Sequence, residues 1–267
     1  MQPGLYTNIP AKYYHNLPIE IVSNSYLSRL NKTPAHTRVK QKETPALLFG
    51  RAVHSYVLEG ATAFFQEFSI PPSVDRRTKE GKEIWSKFQL ANSDKALIAE
   101  EDFVTITEMD IAVKSHPFAK ELLAEGISEQ TVIWADEETG ILCKCRTDRT
   151  PSGNKMVLVD LKSTGDASEY AFGKSVLNYG YARQAAFYTE GVSKVTGQKF
   201  DAFCFIAVES EPPYRTEVYV LDAEYLSWGW TQVHRLLRLE KECRDNGSWP
   251  NYQVRGAQDL FKPVYLQ

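Results

Sequence analysis

The sequence predicts an α/β fold in which a small mixed β-sheet is flanked by helices, with a helical elaboration at the N-terminal end. Three runs rich in apolar and β-branched residues follow one another between residues 129 and 163, as strands of one sheet would. Segments with helical apolar spacing precede these runs, and further strands and a long helix follow them. This order of elements indicates an α/β core with helices packed on its sheet.

The N-terminal part is expected to be mostly helical after a polar and aromatic arm. Residues 23–32 begin with Ser and Asn, which suit a helix N-cap. A stronger helix is expected from Pro45 to Gly60, because proline favours the first turn and glycine the C-terminal stop. Residues 61–76 contain a Pro-Pro pair and are expected to be irregular. Further helices are expected near 76–92, 100–116 and 116–126.

The second part is expected to contain the sheet. Strands are predicted near residues 129–136, 141–149, 156–163, 201–209 and 214–221. Helices are predicted across 168–196, with a break at Asn178–Gly180, and across 222–245. The chain is interpreted as one domain, 1–267, made of a mostly helical part, a core and an irregular tail, at 1–126, 127–245 and 246–267.

Composition favours a protein that works in the cytoplasm. The chain has 267 residues, 43% hydrophobic content and a formal net charge of −3, which is ordinary for a globular protein. No run approaches the roughly 20 apolar residues of a membrane span, and no secretory signal is recognisable at the start. The four cysteines, Cys143, Cys145, Cys204 and Cys243, form no C-x-x-C pair and are expected to be reduced.

The acidic balance weighs against a protein that coats DNA over its whole surface, but it leaves room for a local basic groove. Residues 29–51, here called the basic stretch, contain a single acid, Glu43. Its basic residues are Arg29, Lys32, Arg38, Lys40, Lys42 and Arg51. On charge alone, a solvated basic loop is an equally good interpretation.

Asp148, Asp160 and Lys162 carry most of the chemical information. Side chains alternate along a strand, so Asp160 and Lys162 point to the same side, and Asp148 lies on the preceding strand, one hairpin away. Carboxylate oxygens suit Mg²⁺, and a nearby lysine can orient or help deprotonate a water bound to the metal. A surface ion pair is the plain alternative, but an otherwise apolar strand has little reason to contain one. The pattern therefore indicates phosphodiester cleavage.

Beyond these three residues, the chain resembles the PD-(D/E)xK nuclease superfamily in its D…D-x-K form. GRAVH at 50–54 is similar to the G-x-x-x-H helix of the RecB-like and lambda-exonuclease-like branch, and RQAAFY at 183–188 to its Gln-x-x-x-Tyr helix. CKCRTD and the Pro-Ala-His segment at 34–36 look closest to the RecE family, exodeoxyribonuclease VIII. The similarity spans about residues 20–240, and Asp160 stands where many members have Glu.

The resemblance implies a metal site and its supporting residues. The implied metal ligands are Asp148, Asp160 and the backbone carbonyl of Leu161, with His54 at a second metal position or in the outer shell. The implied ion is Mg²⁺, with Mn²⁺ as a possible substitute.

Further site residues are placed by the same pattern. Glu129 is expected to face the active site, and Gln184 and Tyr188, on one helix face, to support it and contact the DNA strand. A pocket for a 5′-phosphate is expected at Ser25, Arg29 and Arg51, and Arg183 is expected to meet phosphate.

The resemblance implies a metal-dependent 5′-to-3′ exonuclease, of bacterial or phage origin, that acts on the ends of linear double-stranded DNA. It would leave 3′ single-stranded overhangs for recombination by strand annealing, with a RecT-type annealing protein as partner. A homo-oligomeric ring, trimer or tetramer, is expected, with the basic stretch near its channel. The tail aromatics are candidates for the partner interface: Trp249, Tyr252, Phe261 and Tyr265.

Two alternatives remain open on the sequence. One is another nuclease of the superfamily, an endonuclease or a RecB-like domain that serves a helicase. The other is a catalytically silent DNA-binding module.

Overall fold

The computed structural model describes residues 1–7, 9–152, 156–200 and 202–252, and it confirms the predicted α/β fold. The strands are β1 (Gly4–Tyr6), β2 (Phe68–Ser69), β3 (Ala96–Leu97), β4 (Gly126–Ala135), β5 (Leu142–Pro151), β6 (Val157–Thr164), β7 (Ala202–Glu209) and β8 (Thr216–Val220). The helices are α1 (Ala11–His15), α2 (Asn24–Leu30), α3 (Pro45–His54), α4 (Ala61–Glu67), α5 (Lys79–Ala91), α6 (Glu100–Ser115), α7 (Pro117–Ala124), α8 (Glu169–Tyr179), α9 (Tyr181–Thr196) and α10 (Ala223–Asp245).

Six strands form one mixed sheet in the order β1-β4-β5-β6-β7-β8. Neighbouring strands pair antiparallel except β6 and β7, which are parallel and are joined by a crossover through α8 and α9. A short parallel pair, β2 and β3, lies outside this sheet. The crossover matters for function, because it brings α9 back along the strand that contains Asp160 and Lys162.

Helix α9 packs closely between the sheet and α10. The rings of Trp134 on β4 and Phe187 on α9 lie 4.7 Å apart at their centroids. A Cβ atom at Gly229 of α10 would come within 2.2 Å of the Ala182 carbonyl oxygen, so glycine is what allows this helix to approach α9. Most residues of α9 are buried as a result, and the polar residues among them are held in fixed positions.

A second apolar cluster covers the opposite side of the sheet with α3 and α6. Val53 and Ile106 from these helices pack with Leu161 and Ile206 from β6 and β7, and all four are buried. This packing places α3, and with it His54, against the strand of the D-x-K step.

Three expectations for the N-terminal part need correction or refinement. The interpretation of residues 61–76 as irregular is wrong at its start, where α4 and β2 form because Phe64 and Phe68 are fully buried and stack at 5.0 Å. The helix expected from Pro45 to Gly60 is α3 followed by a π-helical turn, Ser55–Glu59. The N-terminal arm is not a simple arm, since β1 adds to the edge of β4.

The beginning of the expected tail lies against the N-terminal part. The Ala35 amide donates to the Pro250 carbonyl at 3.1 Å, and the Arg38 guanidinium stacks 3.4 Å from the centre of the Trp249 ring. Phe261 and Tyr265 lie outside the described residues. Each helix in the described part is too short or too polar to cross a lipid bilayer.

Candidate active site

Three acids form a row across three neighbouring strands. Ser128 pairs with Arg149 and Gln130 with Thr147, so the register places Glu129 of β4 opposite Asp148 of β5. The Arg149–Val159 pair then sets the register between β5 and β6 and places Asp160 opposite Asp148. We call Glu129, Asp148 and Asp160 the acid row. Three carboxylates on opposite positions of neighbouring strands repel one another when charged. Cations close to the row are needed to offset this repulsion.

The backbone around the row is irregular where the carboxylates converge. Glu129 has a φ of 55°, a left-handed conformation that is uncommon for a residue with a side chain. The Asp148 carboxylate Oδ2 accepts the Leu161 amide at 2.8 Å, so this side chain takes a hydrogen bond from the backbone of β6. Asp148 is therefore held between the two strands rather than free to turn toward solvent.

Asp160 is buried and is held by two polar partners. Its Oδ1 accepts from the Gln184 side-chain amide at 2.5 Å, and its Oδ2 lies 2.6 Å from the Lys162 ammonium. Oδ2 receives no well-directed hydrogen bond within the described part of the chain, although only 1% of Asp160 is exposed. A buried carboxylate oxygen with an incomplete set of partners is a suitable ligand for a cation.

The two motif residues of α9 lie beside the acid row, one helical turn apart. Gln184 is buried and its side-chain amide donates to Asp160, while its supporting role in the active site stays a prediction. Tyr188 is half-buried, and burial, Tyr14, Cys145 and then Asp160 raise the pKa of its hydroxyl well above the ordinary value. Tyr188 therefore stays a neutral hydroxyl beside the carboxylates.

His54 completes a group of candidate metal ligands. Its Nδ1 lies 3.3 Å from Asp148 Oδ2, and one ligand atom from each of His54, Glu129 and Asp148 falls within 4.8 Å of the others. The two carboxylates suit Mg²⁺ or Mn²⁺, and the imidazole can lie in the outer shell of such an ion, so the residues fit the divalent ion that the sequence implies. Helix α3 changes to the π-helical turn directly after His54, a local geometry that is frequent at functional sites.

The structure thus changes the ranking of the predicted ligands. Glu129, which sequence reasoning placed after Asp148 and Asp160, belongs to the group with His54. Leu161 contributes its backbone to both Asp148 and His54, while ligation through its carbonyl oxygen remains a prediction.

The pKa values reflect the crowding of acids in a buried place. Burial raises the pKa of Asp148 well above its ordinary range, and the Asp160 carboxylate raises it further. Burial and Asp148 likewise raise the pKa of Glu129 to about 7. Burial lowers the pKa of His54, so its imidazole is neutral and available as a ligand.

The Lys162 ammonium stays charged. Burial works to lower its pKa, but Asp160 and Asp148 together outweigh burial and raise it. A lysine with a raised pKa is suited to stabilise negative charge and poorly suited to accept a proton near neutral pH.

Arg146 is a site residue that sequence reasoning missed. Its Nε contacts the Glu129 carboxylate closely, and its NH1 donates to the Ile9 carbonyl at 2.6 Å. It therefore joins the acid row to the N-terminal segment. The available signal was the position of Arg146 two residues before Asp148, which puts both side chains on the same side of β5.

The predicted phosphate ligands are not brought together by any contact in the described residues. Ser25 is exposed and close to Ser23, and Arg29 donates to the Val39 carbonyl at 3.1 Å. Arg51 is paired with two acids, Glu43 at 3.2 Å and, more closely, Glu67. A 5′-phosphate pocket from these residues therefore remains a prediction.

Arg183 has a different environment from the one expected. It is 3% exposed, its Nε donates to Asn24 at 3.2 Å, and its NH2 donates to Ser28 at 2.6 Å. Its guanidinium is thus occupied inside the protein, between α9 and α2. Contact with a DNA phosphate stays a prediction, and it would require these partners to be displaced.

Comparisons with known proteins agree with this geometry. The family described as a PDDEXK-like domain of unknown function (DUF3799) matches residues 23–259. The chain is similar to a crystal structure of a candidate exonuclease from Eubacterium rectale, with 17% identity, 97% of each chain covered and a TM-score of 0.63. At that identity the likeness supports the fold alone.

Weaker structural similarity extends to the alkaline exonuclease LHK-Exo of Laribacter hongkongensis. The identity is 10%, with 86% of this chain and 93% of that chain covered, and the TM-score of 0.26 is too low to support an argument. No curated protein sequence matches the chain significantly.

Proposed function

Because the chain belongs to the PDDEXK-like family DUF3799, and hence to the PD-(D/E)xK nuclease superfamily, we propose that it is a metal-dependent nuclease that hydrolyses phosphodiester bonds in DNA. The observation that carries this proposal is the acid row, with Lys162 and Gln184 both held on Asp160. A binding module without catalysis has no need for such a costly set of buried charges.

The residues divide the chemical work between them. His54, Glu129 and Asp148, with Asp160 beside them, would hold a divalent ion, which supplies an activated water and a Lewis acid at the phosphate. The Lys162 ammonium, kept protonated by Asp160 and Asp148, stabilises the negative charge that develops on the phosphate.

The supporting residues fix the orientation of the acids. Gln184 donates to Asp160 from α9, and Arg146 partly neutralises Glu129. With both outer members of the row held in place, the carboxylates need little rearrangement to receive a cation.

At the finer level we propose a 5′-to-3′ exonuclease that degrades one strand of linear duplex DNA and leaves a 3′ overhang. The RecE-like segments of the sequence support this choice: CKCRTD, the Pro-Ala-His segment and the G-x-x-x-H and Gln-x-x-x-Tyr helices. The rivals are an endonuclease of the same superfamily, a RecB-like domain and a silent DNA-binding module.

One digestion experiment separates these functions. Linear duplexes labelled at the 5′ or the 3′ end, with a closed circle as control, are incubated with Mg²⁺, Mn²⁺, Ca²⁺ or EDTA. We expect digestion from the 5′ end with Mg²⁺ or Mn²⁺, binding without cutting in Ca²⁺, and no digestion in EDTA. Cleavage of the circle would indicate an endonuclease, and metal-dependent binding without any cleavage would indicate the silent module.

We also propose a RecT-type single-strand annealing protein as a partner, since a 3′ overhang requires a protein that coats it. Trp249 and Tyr252 are the tail aromatics within the described residues, and Tyr252 is 69% exposed whereas Trp249 is engaged by Arg38 and Glu240. Co-purification of the annealing protein with Tyr252→Ala and with a tail truncation tests this surface. Unchanged co-purification with both would exclude the tail as the interface.

A further inference from the structure

Two tyrosines flank the glycine that joins α8 to α9. Tyr179 is the last residue of α8, Tyr181 is the first of α9, and we call them the tyrosine pair. Their ring centroids lie 5.7 Å apart with an interplanar angle of 35°. Tyr179 is 66% exposed, a large fraction for an aromatic residue that already contacts another ring.

The tyrosine pair is continuous with the acid row. The Lys162 ammonium lies 4.8 Å from the centre of the Tyr181 ring and 2.6 Å from Asp160 Oδ2. Tyr181 is supported from within by Phe205, whose ring centroid is 5.4 Å away. Contacts thus connect the proposed catalytic acids to Lys162, Lys162 to Tyr181, and Tyr181 to the exposed ring of Tyr179.

The turn that presents the pair is built rigidly. Gly180 has a φ of 69°, and a Cβ atom there would lie 2.6 Å from NH2 of the Arg183 guanidinium. Arg183 in turn is held by Asn24 and Ser28 of α2. The buried arginine therefore fixes the turn against another helix, and both rings keep a defined position relative to Lys162.

We propose that the tyrosine pair stacks on an unpaired base of the strand being cut, at a nucleotide close to the scissile phosphate. This inference rests on the proposed nuclease function and adds the form of its substrate. A base inside a duplex already stacks on both faces, so it must leave the stack before an exposed ring close to the catalytic acids can stack on it. The Lys162 ammonium, adjacent to the Tyr181 ring, suits the phosphate that accompanies such a base.

The inference predicts a substrate preference. A duplex whose terminal nucleotides are unpaired should be digested faster than a fully paired duplex, because unpairing a base costs free energy before it can reach the rings. An exposed tyrosine that served a protein partner instead would give no dependence on the bases near the cut.

The test compares Tyr179→Ala with Tyr179→Phe, which keeps the ring. The matched control is Tyr170→Ala, another exposed tyrosine of α8, which contacts Lys174 rather than Tyr181. In Mg²⁺ we expect Tyr179→Ala to lose about tenfold or more in the rate of digestion, as removal of one stacking partner does. Tyr170→Ala should digest at the wild-type rate, and Tyr179→Phe, which keeps the ring, should recover most of the rate that Tyr179→Ala loses.

A chemical change in the DNA isolates stacking from other effects. Duplexes with an end that is already unpaired carry a single abasic nucleotide at successive positions near the cut, so that one base at a time is absent and no unpairing step changes. At the contacted position the wild-type enzyme should slow. Tyr179→Ala should slow much less there, because its contact with that base has already been removed. If the abasic nucleotide and Tyr179→Ala each reduced the rate independently at every position, the proposal would be overturned. Digestion at the wild-type rate by Tyr179→Ala would also overturn it.

A binding measurement separates this inference from the proposed function. In Ca²⁺, a fluorescent 2-aminopurine placed in an unpaired end, at the contacted position, should be quenched more strongly on binding to the wild-type protein than on binding to Tyr179→Ala. If the wild-type protein digested no DNA in Mg²⁺, the proposed function would fail, while quenching would still decide the stacking site. Equal quenching by both proteins would refute the site even in an active nuclease.

Discussion

At the residue scale, Asp148 and Asp160 face each other but are held in different ways. The Asp148 carboxylate accepts a hydrogen bond from a backbone amide of the neighbouring strand. Burial and the Asp160 carboxylate disfavour its charged form and raise its pKa. Asp160 is paired with the ammonium of Lys162 and the amide of Gln184. Two aspartates on neighbouring strands therefore differ: the charge of Asp148 is disfavoured in the metal-free protein, whereas the charge of Asp160 is stabilised by its partners.

This difference predicts opposite effects on stability for two inactivating substitutions. Asp148→Asn keeps the acceptor for Leu161 and removes an unfavourable charge, so the metal-free protein should become more stable. Asp160→Asn leaves Lys162 without its partner, and breaking such a pair costs about 3 kcal/mol. Both variants should cut DNA no faster than the background. Thermal melts in EDTA, beside digestion assays in Mg²⁺, measure both effects, and equal shifts of melting temperature would contradict the distinction.

Glu129 should make the stability of the metal-free protein depend on pH. Its pKa rises from 4.5 to about 7 in the fold, so the folded state holds the proton more tightly than the unfolded chain. Stability is then greatest below the unfolded pKa and falls as pH rises through the folded pKa, by up to about 3 kcal/mol.

The measurement is a series of denaturation curves in EDTA across this pH window. Glu129→Gln should make the decline smaller, and the part that remains belongs to Asp148, whose pKa is also raised. Mg²⁺ should oppose the decline at the alkaline end, where the carboxylate is available to the ion. A decline of the same size in Glu129→Gln would assign the effect to another group.

At the element scale, α9 is the helix that organises the site. From one face it presents Gln184 to Asp160 and Tyr181 to Lys162, and from another face it presents Arg183 to α2. The helix can do this because it is buried between the sheet and α10, where a polar side chain must find a partner. The glycine before it, Gly180, sets the angle at which the helix begins.

Two glycine substitutions in the same crossover should therefore change the stability of the protein in opposite directions. Gly180→Ala forces a side chain into a left-handed position and toward Arg183, which should lower stability by at least about 1 kcal/mol. Gly173→Ala, within α8, would place its Cβ where nothing lies within 4 Å, and should raise stability by about 0.5–1 kcal/mol. Urea denaturation of both variants provides the measurement, and a stabilising Gly180→Ala would show that the turn is not constrained as described.

At the scale of the whole molecule, an acidic chain must still bind a polyanion. The formal net charge is −3, and two arginines of the basic stretch, Arg38 and Arg51, are engaged by acids of the same chain. The lysines of that stretch, Lys32, Lys40 and Lys42, are exposed. We propose that a ring of three or four copies gathers these lysines around a channel and leaves the acidic surface outside.

Assembly and charge can be tested together. Light scattering at micromolar concentration should show a trimer or tetramer, and digestion of a long duplex should be processive. A triple substitution of Lys32, Lys40 and Lys42 by glutamine should weaken DNA binding and reduce its salt dependence. Lys79→Gln with Lys82→Gln, two exposed lysines of α5, is the matched control. A monomer that digests distributively would overturn the ring and leave the nuclease proposal intact.

The sequence by itself determined those features that depend on local periodicity. The strands and helices of the core were predicted close to their observed bounds, because apolar alternation and capping residues act over a few residues. The placement of Asp160 and Lys162 followed from alternation along one strand, and the break at Gly180 from the freedom of glycine. The family resemblance of these motifs agrees with the PDDEXK-like match.

Only the tertiary structure decided which residues meet. Glu129 joins the site because the register of β4 on β5 sets it opposite Asp148, and register depends on pairing between distant segments. Arg183 turns inward because α2 offers it two acceptors, although it lies 155 residues from Ser28 in the chain. Tyr181 of the tyrosine pair reaches Lys162 because α8 and α9 cross over the sheet from one parallel strand to the next. Such contacts arise from packing between elements, and no local pattern of residues encodes them.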